Sequence, residues 1–151
     1  MPNRLTEGVW ELEVGLVAPL ASNAYLVDDG DAVTLIDTGL PVNRPSLRSE
    51  LDAVGDGYMA GEIDRVLLTH YDLDHTGGLP GLSESGFDGS IHIGAADARL
   101  ANGEDRPSMR HPKGVFHRLI RPFFGLPATV MRVNEGDQVG GFTAFHTPGH
   151  N

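Results

Sequence analysis

A strand pattern that runs directly into a cluster of metal-type ligands constrains this chain more than any other feature. Residues 63–68 (Ile-Asp-Arg-Val-Leu-Leu) have the apolar, partly β-branched pattern of a strand inside a sheet. Gly77 and Gly78 lie shortly beyond and allow tight backbone geometry. Between them, six positions carry four side chains that bind divalent ions, namely His70, Asp72, Asp74 and His75. This arrangement predicts a metal site at the end of a buried strand.

The spacing of the four side chains suggests how they converge. If the chain stays extended after the strand, His70, Asp72 and Asp74 lie on one side of it, and His75 joins them after a turn. The competing interpretation is a solvated turn in which Asp74 caps a helix that starts at His75. A lone His-x-Asp pair would favour that turn, but four candidate ligands at this spacing favour the metal site.

The rest of the chain alternates between strand and helix patterns. Residues 28–31 form a turn that predicts a hairpin between two of the strands. Asn43 is a candidate cap for a helix that carries Leu47, Leu51 and Val54. The predicted strands are 9–14, 22–27, 32–36, 63–68, 90–93, 129–133 and 141–145, and two further helices are predicted at 95–101 and 111–124. Such alternation predicts an α/β layered architecture in a single domain, residues 1–151.

Composition excludes several classes of function. The chain has no cysteine, so disulfides and thiolate metal sites are excluded and any ion must be held by His, Asp or Glu. The formal net charge is −10 and no basic stripe is visible, which argues against a nucleic-acid partner. No apolar run approaches the roughly 20 residues of a membrane span, and no signal-peptide pattern opens the chain. We therefore expect a cytoplasmic protein without a membrane partner.

The acidity has a distinctive character. Lys113 is the only lysine beside ten arginines, and aspartates outnumber glutamates thirteen to eight. This bias favours a halophilic host, in which solvated carboxylates keep proteins soluble and salt screens their repulsion. An ordinary acidic protein is the alternative.

Two further groups are candidates for the same site. Asp37 follows the apolar run 32–36, where it can orient a ligand histidine through a hydrogen bond or can bond its own backbone in a turn. The sequence leaves these two roles equally open. His146 and His150 flank the turn signal Pro148-Gly149. That pair gains weight only if it folds next to the first cluster.

Together these segments resemble the metallo-β-lactamase superfamily. Residues 23–27 followed by 35–39 are similar to its opening strands and first motif. Residues 69–78 resemble its signature Thr-His-x-His-x-Asp-His-x-Gly-Gly, and 147–150 resemble its third motif. The resemblance implies a four-layer αβ/βα sandwich with metals at one edge of the two sheets. Because the chain stops just past the third motif, we expect a truncated sandwich that lacks the C-terminal motifs.

The resemblance also implies a ligand set. His70 and His150 belong to a first metal, and Asp74 and His75 to a second. Asp37, because of its place after a buried strand, is the candidate for a supporting group. Asp72 stands where the family has its second histidine. A carboxylate there makes the first site harder, which favours iron or manganese, although affinity order and availability can still favour zinc. We expect one or two divalent ions, with zinc as the first choice.

The implied activity is hydrolysis of a small ester, thioester, lactone or related molecule by metal-activated water, with Asp74 orienting the attacking group. Asp72 favours an alternative, an iron-dependent oxidoreductase of the dioxygenase or flavodiiron type. A non-catalytic metal-binding module or fragment is a third hypothesis. A half sandwich would expose an apolar face, so we also expect a homodimer or a partner that covers it.

Overall fold

Seven strands form one mixed sheet in a computed structural model that describes residues 1–15, 22–41, 44–55, 57–107, 110, 112–120, 125–127 and 129–149. The strands lie side by side in chain order. The first four pair antiparallel, and the pairs from the fourth to the seventh strand are parallel. Their bounds are β1 (Asn3–Thr6), β2 (Val9–Glu13), β3 (Asn23–Asp28), β4 (Val33–Ile36), β5 (Arg65–Leu68), β6 (Ser90–Gly94) and β7 (Met131–Val133).

Helices connect the parallel strands. The helices are α1 (Arg44–Val54), α2 (Leu73–Thr76), α3 (Leu79–Glu84), α4 (Ala95–Ala101) and α5 (Pro112–Ile120), with a 3-10 turn at Ala60–Glu62. A separate hairpin of two short strands, β8 (Gln138–Val139) and β9 (Phe142–Thr143), follows β7. Parallel neighbours need such crossovers, whereas the antiparallel pair β3–β4 needs only the turn between them.

The core lies on one face of the sheet. Leu26, Leu35, Val66 and Ile91 stand in register across β3 to β6 and are at most 2% exposed. Helices α1 and α3 supply the buried leucines Leu47, Leu51, Leu79 and Leu82. On the opposite sheet face Thr34 is buried, but Tyr25, Ile36, Leu67 and His92 are only half-buried. The alternation along each strand thus separates a helix-covered face from a more open one.

Most of the predicted elements are present. The α/β class, the hairpin β3–β4 and the helices α1 and α4 are confirmed. In the turn of that hairpin, the side chains of Asp28 and Asp29 accept hydrogen bonds from the backbone amides of Gly30 and Asp31. Asn43, the expected cap of α1, lies outside the described residues.

The predicted extended course after His70 is wrong. Residues 73–76 form the single helical turn α2, which begins after Asp72 and not after Asp74. The side chain of Asp72 makes no capping hydrogen bond there. Strand β1, helix α3 and strand β8 were not predicted, and residues 142–143 of the predicted strand 141–145 pair with β8. Short elements of this kind carry too few residues to show a period.

Two other expectations concern a membrane span and a homodimer. Among the described residues, no helix is long and apolar enough to cross a membrane. The homodimer stays a prediction, and the half-buried sheet face around Tyr25, Ile36 and Leu67 is the surface that it would cover.

Truncating the core should destabilise the chain measurably. Leu35→Ala removes a fully buried side chain in the middle of the sheet, so the free energy of unfolding should fall by about 2–5 kcal/mol. Leu5→Ala, the matched control, alters a side chain that is 52% exposed and should change it by less than about 0.5 kcal/mol. Urea unfolding measures both. Equal effects of the two variants would contradict this assignment of the core.

Candidate metal centre

The predicted ligands lie where two parallel strands end. Strand β5 ends at Leu68 and leads into Thr69 and His70, while Asp37 directly follows the neighbouring strand β4. The amide of Asp37 still donates to the carbonyl of Leu67, 2.9 Å away, and so holds the two strand ends together. Clefts outside the carboxyl ends of strands are the usual ligand sites of open α/β sheets.

Three side chains converge at this edge. One ligand atom from each of His70, Asp74 and His75 lies within 4.8 Å of the other two. The two imidazole rings are 4.0 Å apart between centroids and inclined by 47°. Asp74 and His75 are neighbours on α2, and Asp74 Oδ2 is 3.3 Å from His75 Nε2. All three residues are half-buried, so solvent still reaches each of them in part.

Asp37 holds this edge together. Its side chain is buried, and its Oδ1 accepts a hydrogen bond from the Thr69 amide at 2.8 Å. Its Oδ2 accepts bonds from the Thr69 hydroxyl at 2.7 Å and from His75 Nδ1 at 2.8 Å. Asp37 is also the only non-glycine residue with a positive φ, 59°, in the described chain. An aspartate tolerates this left-handed conformation at some cost, and here it aims the carboxylate at His75.

The loop after β4 is fastened to α2 through the backbone. Both the amide and the hydroxyl of Thr38 donate to the carbonyl of His75, at 2.8 and 2.9 Å. The amide of Gly78 donates to the carbonyl of Gly39 at 3.0 Å. A Cβ on Gly78 would stand 2.1 Å from the carbonyl oxygen of Thr38, which only a glycine avoids. The two glycines of the signature thus allow the backbones to meet.

A second contact supports the ligand loop from the other side. Asp97, in the first turn of α4, accepts a hydrogen bond from the amide of Tyr71 at 2.9 Å. Tyr71 is buried and lies between His70 and Asp72 in the chain. The path of the loop is therefore set from two neighbouring elements, β4 and α4.

The negative charges of the site act on His75. Burial by itself lowers the pKa of the imidazole, but the hydrogen bond to Asp37 and the charges of Asp37, Asp74 and Asp72 outweigh it. The pKa of His75 is therefore raised above its ordinary value. The same charges that favour a proton on this ring favour a divalent cation beside it.

The other predicted site residues have different placements. Asp72 immediately precedes α2, and its Oδ2 is 3.5 Å from His70 Nε2. It borders the three converging groups, and its role as a ligand stays a prediction. His150 lies outside the described residues. His146 is exposed, and its amide donates to the side chain of Glu135. Asp37 contacts His75 Nδ1 through its side chain, and its role in orienting a metal ligand stays a prediction.

Sequence reasoning missed two contributors, Thr69 and Asp97. Thr69 precedes the first histidine and grips Asp37 with both its amide and its hydroxyl. The sequence feature that could have identified Thr69 is its position between the predicted strand 63–68 and the cluster that begins at His70. Asp97 had the signal of an acidic residue in the first turn of a helix, which usually indicates only favourable interaction with the helix dipole. Its contact with Tyr71 joins residues 26 positions apart, so only the folded structure reveals it.

The donor set fits a divalent ion. It offers two imidazole nitrogens and one carboxylate, a combination that suits zinc and also suits iron or manganese. The hydrogen bond from His75 Nδ1 to Asp37 leaves Nε2 as the nitrogen that faces the cluster. A carboxylate behind a ligand histidine is a usual support of metal sites.

The model of one protein family, the metallo-beta-lactamase superfamily, matches residues 17–151. This chain belongs to that superfamily. The fold implies binding of a divalent metal, and the group of His70, Asp74 and His75 agrees with it. The resemblance predicted from the motifs is thereby confirmed.

Relatives of known sequence are distant. The chain is 26% identical to the uncharacterized protein YobT of Bacillus subtilis over 147 residues, which cover 94% of this chain and 58% of that protein. It is 31% identical over 86 residues to a ribonuclease of Thermus thermophilus, covering 57% and 19%. It is 28% identical over 101 residues to a probable metallo-hydrolase of Mycobacterium tuberculosis, covering 54% and 31%.

Solved structures confirm the fold. A metallo-beta-lactamase of Cronobacter sakazakii, a variant with a mutated HARLDQ motif, superposes with a TM-score of 0.73 at 24% identity, over 99% of this chain and 55% of that one. The rubredoxin oxygen:oxidoreductase of Desulfovibrio gigas gives 0.63 at 21% identity, over 91% and 32%. The chain thus spans little more than half of the beta-lactamase and about a third of the oxidoreductase. At these identities the likeness establishes the fold alone.

Metal affinity should depend on pH through His75. Because a proton on the ring competes with the ion, affinity is full above the pKa of His75 and is lost as the pH falls through it. Since this pKa is raised, the loss should begin at a higher pH than the ordinary value of 6.5 would give. Zinc titrations against a chelator at several pH values measure the midpoint. A midpoint below 6.5 would contradict the proposed electrostatics.

Asp37→Asn should change both the strength of binding and its pH dependence. Without the carboxylate, the hydrogen bond that orients His75 weakens, and affinity at high pH should drop by about 10–100-fold. The pKa of His75 should fall at the same time, so the midpoint should move to lower pH. Asp88→Asn, on an exposed loop, is the matched control. Unchanged affinity and midpoint in Asp37→Asn would refute the role of Asp37.

Proposed function

We propose that this chain carries the metal-binding half of a metal-dependent hydrolase that acts on a small ester, thioester, lactone or related molecule. One observation carries the proposal: ligand atoms of His70, Asp74 and His75 converge within 4.8 Å at the carboxyl ends of parallel strands. Membership of the superfamily and a probable metallo-hydrolase among the relatives support it.

The residues divide between holding the ion and supporting its ligands. His70, Asp74 and His75 would hold a divalent ion, and Asp72 and His150 are proposed to complete its surroundings. Such an ion supplies Lewis acidity, which lowers the pKa of water from 15.7 to about 7 and makes a nucleophile available at neutral pH. Asp37 supports His75 by a 2.8 Å hydrogen bond. The loop contacts of Thr38 and Asp97 keep the ligands in place.

Asp74 is proposed to act on the reacting water as well as on the ion. Its side chain is 49% exposed, whereas those of His70 and His75 are 17% and 21% exposed. Its Oδ2 nevertheless stays 3.3 Å from His75 Nε2. The carboxylate therefore lies at the boundary between the ligand cluster and solvent, where it can orient a water molecule and accept a proton from it.

Zinc is the proposed ion, since two imidazoles and a carboxylate are a usual set for catalytic zinc. Asp72 supports iron or manganese instead. Its Oδ2 is 3.5 Å from His70 Nε2, and a second carboxylate would make the site harder and more negative.

The carboxylate of Asp72 also supports a second candidate function, that of an iron-dependent oxidoreductase. A second support is that the chain shares its fold with the rubredoxin oxygen:oxidoreductase of Desulfovibrio gigas. The two candidates differ in measurable ways. An oxidoreductase would contain iron and consume oxygen, whereas a hydrolase would release acid from an ester without oxygen uptake.

The test compares Asp74→Asn with Asp88→Asn in the full chain loaded with zinc. Hydrolysis of a panel of aryl esters, thioesters and lactones should occur with the parent chain and with Asp88→Asn. In Asp74→Asn, kcat/KM should fall by about 100-fold or more, because a ligand and a proton acceptor are lost together. Asp88 is exposed and outside the cluster, so its change should stay within about twofold.

Three results would overturn the proposal. Equal activity in both variants would show that Asp74 does not take part in the reaction. Oxygen uptake by iron-loaded protein, without hydrolysis, would establish the oxidoreductase. Stable metal binding without turnover of any substrate class would leave a non-catalytic metal-binding module.

A further inference from the structure

We propose that the hydroxyl of Thr69 is a positioning group that sets the tautomer of His70, and thereby the nitrogen that this residue offers to a metal ion. The inference concerns the apo chain and rests on the proposed function only in taking His70 as a ligand. It depends on which atom donates the hydrogen in each hydrogen bond of the Thr69 hydroxyl.

The assignment of these hydrogens begins at Asp37. As a carboxylate, it has only acceptor oxygens, so every close polar contact must bring a hydrogen to it. Its Oδ2 is 2.7 Å from Thr69 Oγ1 and 2.8 Å from His75 Nδ1. The hydroxyl hydrogen of Thr69 therefore points to Asp37. His75 likewise carries its hydrogen on Nδ1.

This assignment decides the state of His70. Thr69 Oγ1 is 3.0 Å from His70 Nδ1. A hydroxyl has a single hydrogen, and that of Thr69 is committed to Asp37, so its oxygen can only accept at this contact. The hydrogen between Thr69 and His70 must then belong to His70 Nδ1. With Nδ1 protonated, the neutral imidazole of His70 presents the lone pair of Nε2.

Both ligand histidines are thus tied to one carboxylate. His75 reaches Asp37 directly, and His70 reaches it through the hydroxyl of Thr69. The same hydroxyl is 3.5 Å from His75 Nδ1, so it lies between the two rings. A bond at Nδ1 also fixes the plane of each ring, which accounts for two rings held 4.0 Å apart at a defined inclination.

The hydroxyl is itself well held. The amide of Thr69 donates to Asp37 Oδ1 at 2.8 Å, so backbone and side chain grip the two oxygens of one carboxylate. A β-branched side chain has few χ1 rotamers, which keeps the oxygen in place. The residue is exposed, so core packing does not require a threonine here. The hydrogen bonds of the Thr69 hydroxyl to Asp37 and His70 therefore account for a threonine at this position.

The experiment reads the tautomer directly. Long-range proton–nitrogen NMR spectra of the metal-free full chain, recorded at a pH at which the spectra themselves show the His70 ring to be neutral, should show His70 protonated on Nδ1. Thr69→Val keeps the shape and removes the oxygen, so a substantial population of the Nε2–H form should appear. Thr69→Ser restores a hydroxyl and should restore the Nδ1–H form. Thr6→Val, at an exposed position in β1, is the matched control.

Zinc affinity, measured by competition with a chelator, provides a second readout without turnover. Thr69→Val should weaken it by about 10–100-fold, as loss of a ligand's hydrogen-bond partner usually does. Thr69→Ser should recover most of the loss, and Thr6→Val should lose nothing.

An Nε2–H form of His70 in the parent chain would overturn the inference by itself, even if Thr69→Val failed to fold. Unchanged tautomer and affinity in a folded Thr69→Val would do the same. A chain with the expected tautomer and no hydrolytic activity would contradict the proposed function alone, which keeps the two failures distinguishable.

Discussion

The buried carboxylate of Asp37 is the group on which the rest of the site depends. It sits in a left-handed backbone conformation at the end of β4 and accepts hydrogen bonds from two donors of Thr69 and from His75. Three separate pieces of chain, the ends of β4 and β5 and the helix α2, are therefore joined at one side chain. A buried charge of this kind is costly unless its acceptors are satisfied. Here the donors are His75, a candidate ligand, and Thr69, which directly precedes the candidate ligand His70.

The sheet explains why these groups meet. Leu26, Leu35 and Val66 keep β3, β4 and β5 in a fixed register over the helix-covered core. That register brings Asp37 level with the end of β5. A slip of two residues would keep the buried face and separate Asp37 from Thr69, so the ladder between β4 and β5 is what makes the site possible. The core and the site are consequences of the same strand pairing.

The sequence was sufficient for the fold class, the main strands and the segment that carries the three converging candidate ligands, because each rests on a local pattern. Apolar, partly β-branched runs mark β4 and β5, and the clustered histidines and aspartates of the signature lie within six positions. Other features depend on contacts between distant positions. The bond from Tyr71 to Asp97 spans 26 residues, and the single turn of α2 is too short for a helical period. For such features tertiary contacts, and not local propensity, select the conformation.

The account depends most directly on whether the chain binds a divalent ion through His70 and its neighbours. Elemental analysis of protein purified without chelator, beside a His70→Ala variant, tests this. The account predicts about one to two ions of zinc, iron or manganese per chain, lost in the variant. Metal-free protein that takes up no zinc on addition, or a variant that retains its metal, would contradict it.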